Sequence, residues 1–561
     1  MRLRLLSFAL ALSTSCAGAA SITVSTLADT VAADGACSLR EALLNAASNT
    51  AGHPDCAAGD VFATDTIGFA TALFPVGAGL IGEFQLDAAL GPLIAAGGSV
   101  VVQPPNGRRL HLIGNGDSRL LRIDLPANRS FSMFRTHLIG GHAAGDGGAI
   151  LVRSGSIVHL EDCDFIDNHA DGSGGALGFD LSTNVTIQSY ATRFVGNTAG
   201  VDGGAIGGVM ATRINLDIAG SRFSGNAAGG SGGAIFLAMV PLPLSLQANY
   251  AIADSIFEDN SALSGGAIHV HSGSNTGNRY DLLIEDSRFS ANQSLAPNVA
   301  GRGGALNIRG FEGFHTASVT ILRSSFHDNV DHGAVTGAKA GAVFVDHADA
   351  VIENSLFAGN QSGHGGGGVA FIATNDFPGE PEQPRLLSLR FNSFHENRLG
   401  PGGGIARGWD LLIRAANGTL LNAAVYGNLF KAHPWVGSQL GCVIESASGD
   451  PFALPFAGHN LADRAECALG SGSVLADPMV VYAEESNASH LRTLHLAPDS
   501  PGRDLVPEVA CQDSTGAVLA EDLLRALRPR DGNGDGIALC DAGAFEADAL
   551  KDDTIFAHGF E

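Results

Sequence analysis

The stretch TRFVGNTAGVDGGAI at residues 192–206 is followed by SRFSGNAAGGSGGAI at residues 221–235. Both copies place a phenylalanine three residues before an asparagine and end in Gly-Gly-Ala-Ile. The Phe-x-x-Asn pair occurs eight times, 29 to 37 residues apart, at Phe165/Asn168, Phe194/Asn197, Phe223/Asn226, Phe257/Asn260, Phe289/Asn292, Phe326/Asn329, Phe357/Asn360 and Phe394/Asn397. The glycine motif recurs at Gly147, Gly174, Gly203, Gly232, Gly265 and Gly303, with looser versions at Gly341, Gly366 and Gly402. This period predicts a solenoid.

Two further columns of residues accompany each phenylalanine. The residue two positions earlier is small or polar, and residues two apart on a strand share a face, so we expect both to point inward. This column is Cys163, Thr192, Ser221, Ser255, Ser287, Ser324, Ser355 and Asn392. An aliphatic column lies five positions before the phenylalanine, at Leu160, Ile218, Ile252, Ile284, Ile321, Ile352 and Leu389. Three residues separate this aliphatic column from the small column. This odd spacing breaks the alternation of side chains along one strand, so it predicts a bulge or bend between two short strands.

Asparagines and paired glycines indicate the turns of each coil. Asparagine tolerates left-handed backbone angles and bonds to neighbouring backbone, while glycine adopts positive φ without steric cost. Repeats of this length, with several strand-sized pieces and no helical period, predict a parallel β-solenoid whose coils stack ~4.8 Å apart. The eight asparagines are expected to form a structural ladder along it.

The paired motifs resemble the repeats of chlamydial polymorphic outer-membrane proteins and related bacterial proteins of the pectin-lyase-like fold. The resemblance covers about residues 140–410 and implies an all-β, right-handed parallel β-helix. At the N-terminal end, the sequence CSLREA at residues 37–42 resembles the CSLREA domain of exported bacterial β-helix proteins. At the other end, RPRD at 528–531 and CDAGAFE at 540–546 resemble the choice-of-anchor Q domain, with Ala542 in place of the usual isoleucine. None of these families implies a reaction.

Residues 1–20 read as a secretory signal, with a basic start, an apolar stretch and a small-residue cleavage region. A lipoprotein signal using Cys16 is the alternative, although Ser13 stands where a leucine is usual. We expect a cap at 21–64, the β-helix at 65–440, a choice-of-anchor-like region at 441–546 and a tail at 547–561. No later stretch is long and apolar enough for a membrane helix.

The composition and the net charge exclude several classes of protein and several kinds of partner. Glycine contributes 75 of 561 residues without a strict three-residue period, which excludes collagen, and the 45% hydrophobic content excludes a disordered chain. The net charge of -25 would repel nucleic acid and anionic membranes, so neither is an expected partner.

Seven cysteines follow the predicted signal. In an oxidising compartment sequence neighbours are the first candidates for pairing, so we expect disulfide-stapled ends, although the sequence does not fix the partners. The candidate pairs are Cys37 with Cys56, Cys442 with Cys467, and Cys511 with Cys540. Cys163 replaces serine in the inward column and is expected to be a buried, unreactive thiol.

The best candidate ligand motif is DGNGDG at residues 531–536, with oxygen side chains at alternate positions and a glycine at the sixth. Calcium loops share this pattern, so we predict a calcium site formed by Asp531, Asn533, Asp535 and Asp541. Position twelve is Ala542 rather than glutamate, so Asp541 or Glu546 would have to take its place; a glycine-rich turn beside Cys540 is the alternative interpretation.

The sequence patterns that would indicate catalysis are weaker than this ligand motif. The carboxylates at Asp164, Asp167, Asp259, Asp328 and Glu396 read as solvated turn residues because they do not recur on consecutive coils. The segment Val345-Asp346-His347 superficially resembles a pectate-lyase segment but lacks the accompanying arginines. His269 and His271 form the one close same-face histidine pair that we would test for metal binding, although surface positions are the preferred explanation.

We therefore expect a secreted or cell-surface protein that binds an extracellular polysaccharide or a surface protein in an adhesin-like way, without catalysis. The alternative is a polysaccharide lyase or glycoside hydrolase, since extended β-helix surfaces suit extended polymers. Calcium is the one cofactor that the sequence suggests.

Overall fold

The computed structural model describes residues 20–547, except 154, 180–183, 211–213, 240–246, 273–278, 296–301, 312–316, 334–338, 364, 374–384, 401–406, 416–421, 433–439, 447, 484–490 and 492. The predicted signal cleavage region and the tail beyond residue 547 lie outside the described residues. Within the described part, the chain is a right-handed parallel β-helix, which confirms the expected fold. Each coil of the repeat passes through four parallel sheets, here called sheets I to IV in chain order.

Sheets I and II hold fourteen strands each. Sheet I comprises Ser21–Val24, Asp65–Phe69, Val100–Val102, Ser130–Phe134, Ile157–Glu161, Val185–Tyr190, Ile214–Ala219, Gln247–Ala253, Arg279–Glu285, Ala317–Leu322, Asp349–Glu353, Leu386–Arg390, Asn422–Tyr426 and Phe456–Gly458. Sheet II comprises Ile81–Gln85, Arg109–Ile113, Thr136–Ile139, Asp164–Ile166, Arg193–Val195, Arg222–Ser224, Ile256–Glu258, Arg288–Ser290, Ser325–His327, Leu356–Ala358, Ser393–His395, Leu429–Lys431, Leu461–Ala462 and Val474–Leu475. The predicted phenylalanines all lie on sheet II.

Sheet III holds nine two-residue strands and sheet IV twelve longer ones. Sheet III comprises His142–Ala143, His169–Ala170, Thr198–Ala199, Ala227–Ala228, Ser261–Ala262, Gln293–Ser294, Val330–Asp331, Gln361–Ser362 and Arg398–Leu399. Sheet IV comprises Leu93–Ala96, Leu121–Asp124, Ile150–Val152, Leu177–Phe179, Ile206–Met210, Ile235–Met239, Ile268–His271, Leu306–Arg309, Val343–Asp346, Val369–Ala373, Arg407–Ala415 and Leu440–Glu445. The strands Val480–Ala483 and Thr493–Leu496 form a separate antiparallel pair.

The part of the chain that the structure describes contains few helices, and all of them are short. The α-helix Leu39–Ser48 begins at the capping box formed by Ser38 and Glu41. The described residues also contain five 3₁₀ turns, at Thr71–Leu73, Val76–Ala78, Ala88–Leu90, Ala465–Cys467 and Glu508–Ala510. No helix among the described residues is long and apolar enough to cross a membrane.

The core is a stack of identical side chains. Nine phenylalanine rings, from Phe165 to Phe430, lie one above another with centroids 4.6–5.0 Å apart and planes within 12° of parallel. The small and aliphatic columns are buried beside them, so both point inward as expected. The stack runs one coil beyond the last predicted Phe-x-x-Asn pair.

The predicted bend between the aliphatic and small columns is the corner between sheets I and II. One residue turns it with a φ of 44° to 64° in the successive coils Asp162, Ala191, Gly220, Asp254, Asp286, Arg323, Asn354, Phe391 and Gly427. The second corner differs from expectation, because the left-handed residue is the one before the asparagine, such as Asp167 or Gly196. The side-chain amide of the asparagine points inward, and the residue before it adopts the left-handed angle of the turn.

The glycine pair solves two separate steric problems at the corner between sheets III and IV. In the copy at 203–204, Gly203 has a φ of 67°. A Cβ on Gly204 would lie 2.1 Å from the carbonyl oxygen of Gly233 in the next coil. Only the first glycine is needed for its dihedral angle, while the second permits the coils to approach.

Three disulfides join Cys37 to Cys56, Cys442 to Cys467, and Cys511 to Cys540. The expected disulfide-stapled ends are therefore confirmed. The C-terminal segment 497–547 returns along the outside of sheet II. There Gly543 N donates to Gly427 O at 2.8 Å, and the Arg528 guanidinium lies 4.9 Å from the centre of the Phe391 ring. This segment covers the outer side of the last coils.

Candidate functional sites on the solenoid

The eight asparagines of the Phe-x-x-Asn pairs form a continuous buried ladder. In its middle, Asn260 Nδ2 donates to Asn292 Oδ1 at 2.9 Å and to Phe223 O at 3.0 Å. Its Oδ1 accepts from the backbone N and the Nδ2 of Asn226 at 3.0 and 2.9 Å. The amide-to-amide hydrogen bond measures 2.9–3.0 Å at every step of the series Asn168, Asn197, Asn226, Asn260, Asn292, Asn329, Asn360 and Asn397.

The later members of the ladder lead to a buried carboxyl group. Asn329 and Asn360 also donate to backbone carbonyls of the preceding coils, at 3.0 Å each, so they bond in the same way as Asn260. The last member, Asn397, donates to Asp410 Oδ1 at 2.9 Å, and burial raises the pKa of that carboxyl to about 8. All eight amides are buried. They hold coils together and are inaccessible to a ligand.

The small column forms a second ladder that the sequence did not reveal. Ser221 N donates to Ser255 Oγ at 3.1 Å, and this pattern repeats from coil to coil. Asparagines replace the serines from Asn392 onward, where Nδ2 donates to Asn428 Oδ1 at 3.1 Å. Cys163 occupies the same column as a buried free thiol, and burial raises its pKa to about 12. These side chains support the corner rather than an external site.

The carboxylates considered for catalysis lie apart. Asp167 and Asp259 turn the corner before ladder asparagines that are separated by two intervening coils. Asp164 is instead buried on sheet II, where its carboxylate contacts Arg193 and lies 2.8 Å from His137 Nε2. Burial alone would raise the pKa of Asp164, but hydrogen bonds from Arg193 and His137 lower it. Asp167 and Asp259 are dispersed turn residues, as the sequence predicts, whereas Asp164 belongs to an ion pair.

The outer side of sheet I presents a surface of mainly polar side chains, here called the sheet I face. It consists of outward side chains on seven consecutive strands, and three columns run along it. The first is Ile157, Thr186, Asn215, Asn249, Asp281, Ser318 and Asp349; the second is His159, Gln188, Asp217, Ala251, Leu283, Thr320 and Val351; the third begins Glu161, Tyr190, Ala219, Ala253, Glu285 and Leu322. All are at least partly exposed.

Aromatic rings lie at one end of the sheet I face. His159 stands between Phe134 and Tyr190, with ring centroids 5.4 Å from each. Tyr190 Oη donates to Asp217 Oδ2 at 2.6 Å, which fixes the ring. Farther along, the partly buried Asp281 accepts from Ser318, Arg279 and Gln247. Burial raises its pKa, but these hydrogen bonds outweigh that effect and lower it. The face thus combines aromatic rings with oriented hydroxyl, amide and carboxylate groups.

A second polar cluster lies on the outer side of sheet IV, around the buried Asp346. Its carboxylate lies 2.6 Å from Arg302 Nη1, 3.4 Å from Arg309 Nε and 2.7 Å from His347 Nδ1. Burial acts to raise the pKa of Asp346, whereas His347 and the two arginines lower it. Arg302 also stacks over Phe344, with its guanidinium 5.0 Å from the ring centre. The arginines were missed because they lie 44 and 37 residues from Asp346 in sequence.

The histidine pair singled out in the sequence adjoins this cluster. His269 and His271 both project from the outer side of sheet IV, with ring centroids 6.4 Å apart. Burial, with contributions from neighbouring positive charge, lowers the pKa of His269 to about 3 and that of His271 to about 4. His269 Nδ1 lies 3.3 Å from Asn307 Nδ2. Both rings are therefore neutral at physiological pH, and His269 is buried rather than a surface residue.

The predicted calcium loop uses its oxygens within the turn. Asp531 accepts from Gly534 N at 2.6 Å and Gly536 N at 2.9 Å, and Asn533 accepts from Asp535 N at 2.9 Å. Asp541 is buried beside Glu546, and burial raises the pKa values of both carboxyls. Calcium binding by Asp531, Asn533, Asp535 and Asp541 stays a prediction.

The CSLREA motif has a structural explanation. Cys37 forms the disulfide, Ser38 and Glu41 cap the helix, and Leu39 and Ala42 are buried in the core. Arg40 pairs with Asp29 at 2.7 Å and donates to the carbonyl groups of residues 90–92. Every residue of the motif thus helps to close the first coils.

Comparison with known proteins adds no identity. No protein-family profile matches the chain, and no curated protein matches it. The fold is consistent with pectin-lyase-like proteins.

Proposed function

We propose that this protein is exported and binds an extended extracellular polysaccharide along the sheet I face, in an adhesin-like or envelope-associated role without catalysis. The observation that carries the proposal is the first column of that face, in which six of the seven consecutive strands present a polar side chain. Parallel strands repeat about every 4.8 Å, so hydrogen-bonding side chains in this column recur along the axis as the units of a polymer do. Tyr190 and His159 offer ring faces for sugar C–H groups, while Gln188 and Thr186 can bond hydroxyls.

The charge of the face favours a neutral polymer. Asp217, Asp281 and Asp349 lie along it, and the whole chain carries a net charge of -25. Polyanions such as pectate or alginate would be repelled unless a cation bridged them. Export to the cell surface or medium is supported by the three disulfides, which persist in oxidising compartments. Surface attachment through the C-terminal region, by analogy with choice-of-anchor proteins, belongs to the same proposal.

Affinity electrophoresis in gels containing neutral glucans, xyloglucan, pectate or alginate tests the proposal. We expect at least one neutral polymer to retard the protein. Tyr190→Ala should abolish that retardation, whereas Tyr190→Phe should keep most of it because the ring remains. Gln293→Ala, on sheet III, is the control outside the face. Retardation that is unchanged in Tyr190→Ala, or absent with every polymer, would contradict the proposal.

The Asp346 cluster favours a second candidate, a polysaccharide lyase or hydrolase. The adjoining His271 is neutral and partly exposed, so it can accept a proton beside Arg309, which could bind a substrate carboxylate. The same polymers are incubated with the protein, with and without calcium, and assayed for new reducing ends and unsaturated products. Reproducible cleavage that is lost in His271→Ala would replace the binding proposal with this one.

A further inference from the structure

A cluster on sheet III brings together His142, His169 and Asp171. The two histidines are register partners on neighbouring strands, and their rings lie 5.1 Å apart. Asp171 Oδ1 lies 3.1 Å from His169 Nε2 and 3.6 Å from His142 Nε2. The potential ligand atoms of the three residues all lie within 4.8 Å of one another. Two imidazole nitrogens and a carboxylate oxygen therefore converge on one point.

The opposite side of each imidazole is held by a hydrogen-bond partner. His142 Nδ1 lies 2.8 Å from the carbonyl oxygen of Gly116. A carbonyl oxygen can only accept, so Nδ1 carries the hydrogen, and in the neutral ring Nε2 presents its lone pair towards Asp171. His169 Nδ1 lies 2.7 Å from Thr198 Oγ1, which can accept in the same way. Metal-binding histidines are characteristically oriented by such contacts at the second nitrogen.

When both Nδ1 atoms carry the ring hydrogen, the two Nε2 lone pairs and the Asp171 carboxylate face one another. A cation between them then satisfies all three groups. We propose that His142 Nε2, His169 Nε2 and Asp171 Oδ1 bind a divalent transition-metal ion, with Zn²⁺ as the test ion. Imidazole and carboxylate ligands suit this class of metal. Because the cluster is partly exposed, a fourth position is open to water or to an oxygen of a bound ligand. This site is independent of the sheet I face and of the predicted calcium loop.

Isothermal titration of the full, EDTA-treated protein with ZnCl₂ tests the site. We expect the wild type to bind one Zn²⁺ more than His169→Ala or Asp171→Asn. The control His332→Ala removes an exposed histidine just after the sheet III strand Val330–Asp331 and should bind like the wild type. Thr198→Val should keep the stoichiometry but weaken the Zn²⁺ affinity about tenfold, because it removes only the hydrogen bond that orients the His169 ring.

A second readout separates a specific site from loose surface binding. Zn²⁺ bound to the folded state raises the unfolding temperature, so the wild type and His332→Ala should be stabilised more than His169→Ala. Co²⁺ should give the visible absorption of a low-symmetry site in the same proteins. Equal stoichiometry and equal thermal shifts in the wild type, His169→Ala and Asp171→Asn would overturn the proposal. Asp171 would then be a polar neighbour of the two imidazoles only.

Discussion

The repeating coils and the C-terminal segment 497–547 are stabilised in different ways. In the coils, each residue type meets its own copy above and below, as the phenylalanine stack and the asparagine ladder show. In the C-terminal segment no such repeat exists among the described residues. A disulfide, a stacked arginine and a few specific contacts with sheet II hold it. A defect in the coils should therefore disturb its neighbours on both sides, whereas a defect in the C-terminal segment should stay local.

The largest effect is expected where the coils approach most closely. The Cβ introduced by Gly204→Ala would lie 2.1 Å from Gly233 O, so two coils must separate. We expect the free energy of unfolding to fall by about 4 kcal/mol, measured by chemical denaturation. Gly225→Asn is the matched control, since no atom lies within 4 Å of its Cβ and Asp259 adopts the same left-handed angle in the next coil. Equal losses in the two variants would refute the role of close approach.

The asparagine ladder should be next in importance. Asn260→Ala removes a side chain that takes part in four buried hydrogen bonds with Asn226, Asn292 and Phe223. The unpaired groups left behind should lower the free energy of unfolding by about 3 kcal/mol. Hydrogen exchange should also accelerate at the backbone amide of Asn226, which loses its acceptor. Asn249→Ala, on the exposed sheet I face, should change stability by less than about 0.5 kcal/mol. If hydrogen exchange accelerated only at the backbone amide of residue 260, the coils would be less coupled than proposed.

Breaking the C-terminal disulfide should have a smaller and local effect. In Cys511→Ala/Cys540→Ala we expect the segment 497–547 to be destabilised by about 2 kcal/mol, since its unfolded chain is no longer constrained. Limited proteolysis should then cleave this segment while the coils stay protected. The comparison would fail if proteolysis opened the coils at the same rate.

The coils could be predicted because their columns repeat. Phe194, Asn197 and Gly203 recur in register, so their shared environment is visible in the sequence alone. The position of the C-terminal segment was not predictable, since it depends on single contacts between residues far apart. One signal existed: Leu356 and Leu429 occupy the outward column of sheet II that holds Arg193 in an earlier coil. Both leucines belong to a buried apolar cluster with Ala542, Ala544 and Phe545 of the C-terminal segment.

The candidate sites also differ in whether the sequence alone predicts them. The sheet I face could have been found by reading the residues between the aliphatic positions, because the column is regular. The Asp346 cluster and the pair His142 and His169 could not. His142 precedes the first Phe-x-x-Asn pair, and Gly141 stands where the next coil has Asn168. Without the asparagine that marks the register, the alignment of the two histidines is hidden.

The smallest expected effect concerns Cys163, whose column normally contains serine or threonine. Cys163→Ser should change stability by less than about 1 kcal/mol, since the hydroxyl can enter the existing ladder of oxygen acceptors. In the wild type the thiol is fully buried and its pKa is raised to about 12, so almost no reactive thiolate forms at neutral pH. A thiol reagent should therefore label it only after denaturation. Rapid labelling of the native protein would mean that coils next to Cys163 open readily, and the contrast between tightly coupled coils and a locally held C-terminal segment would weaken.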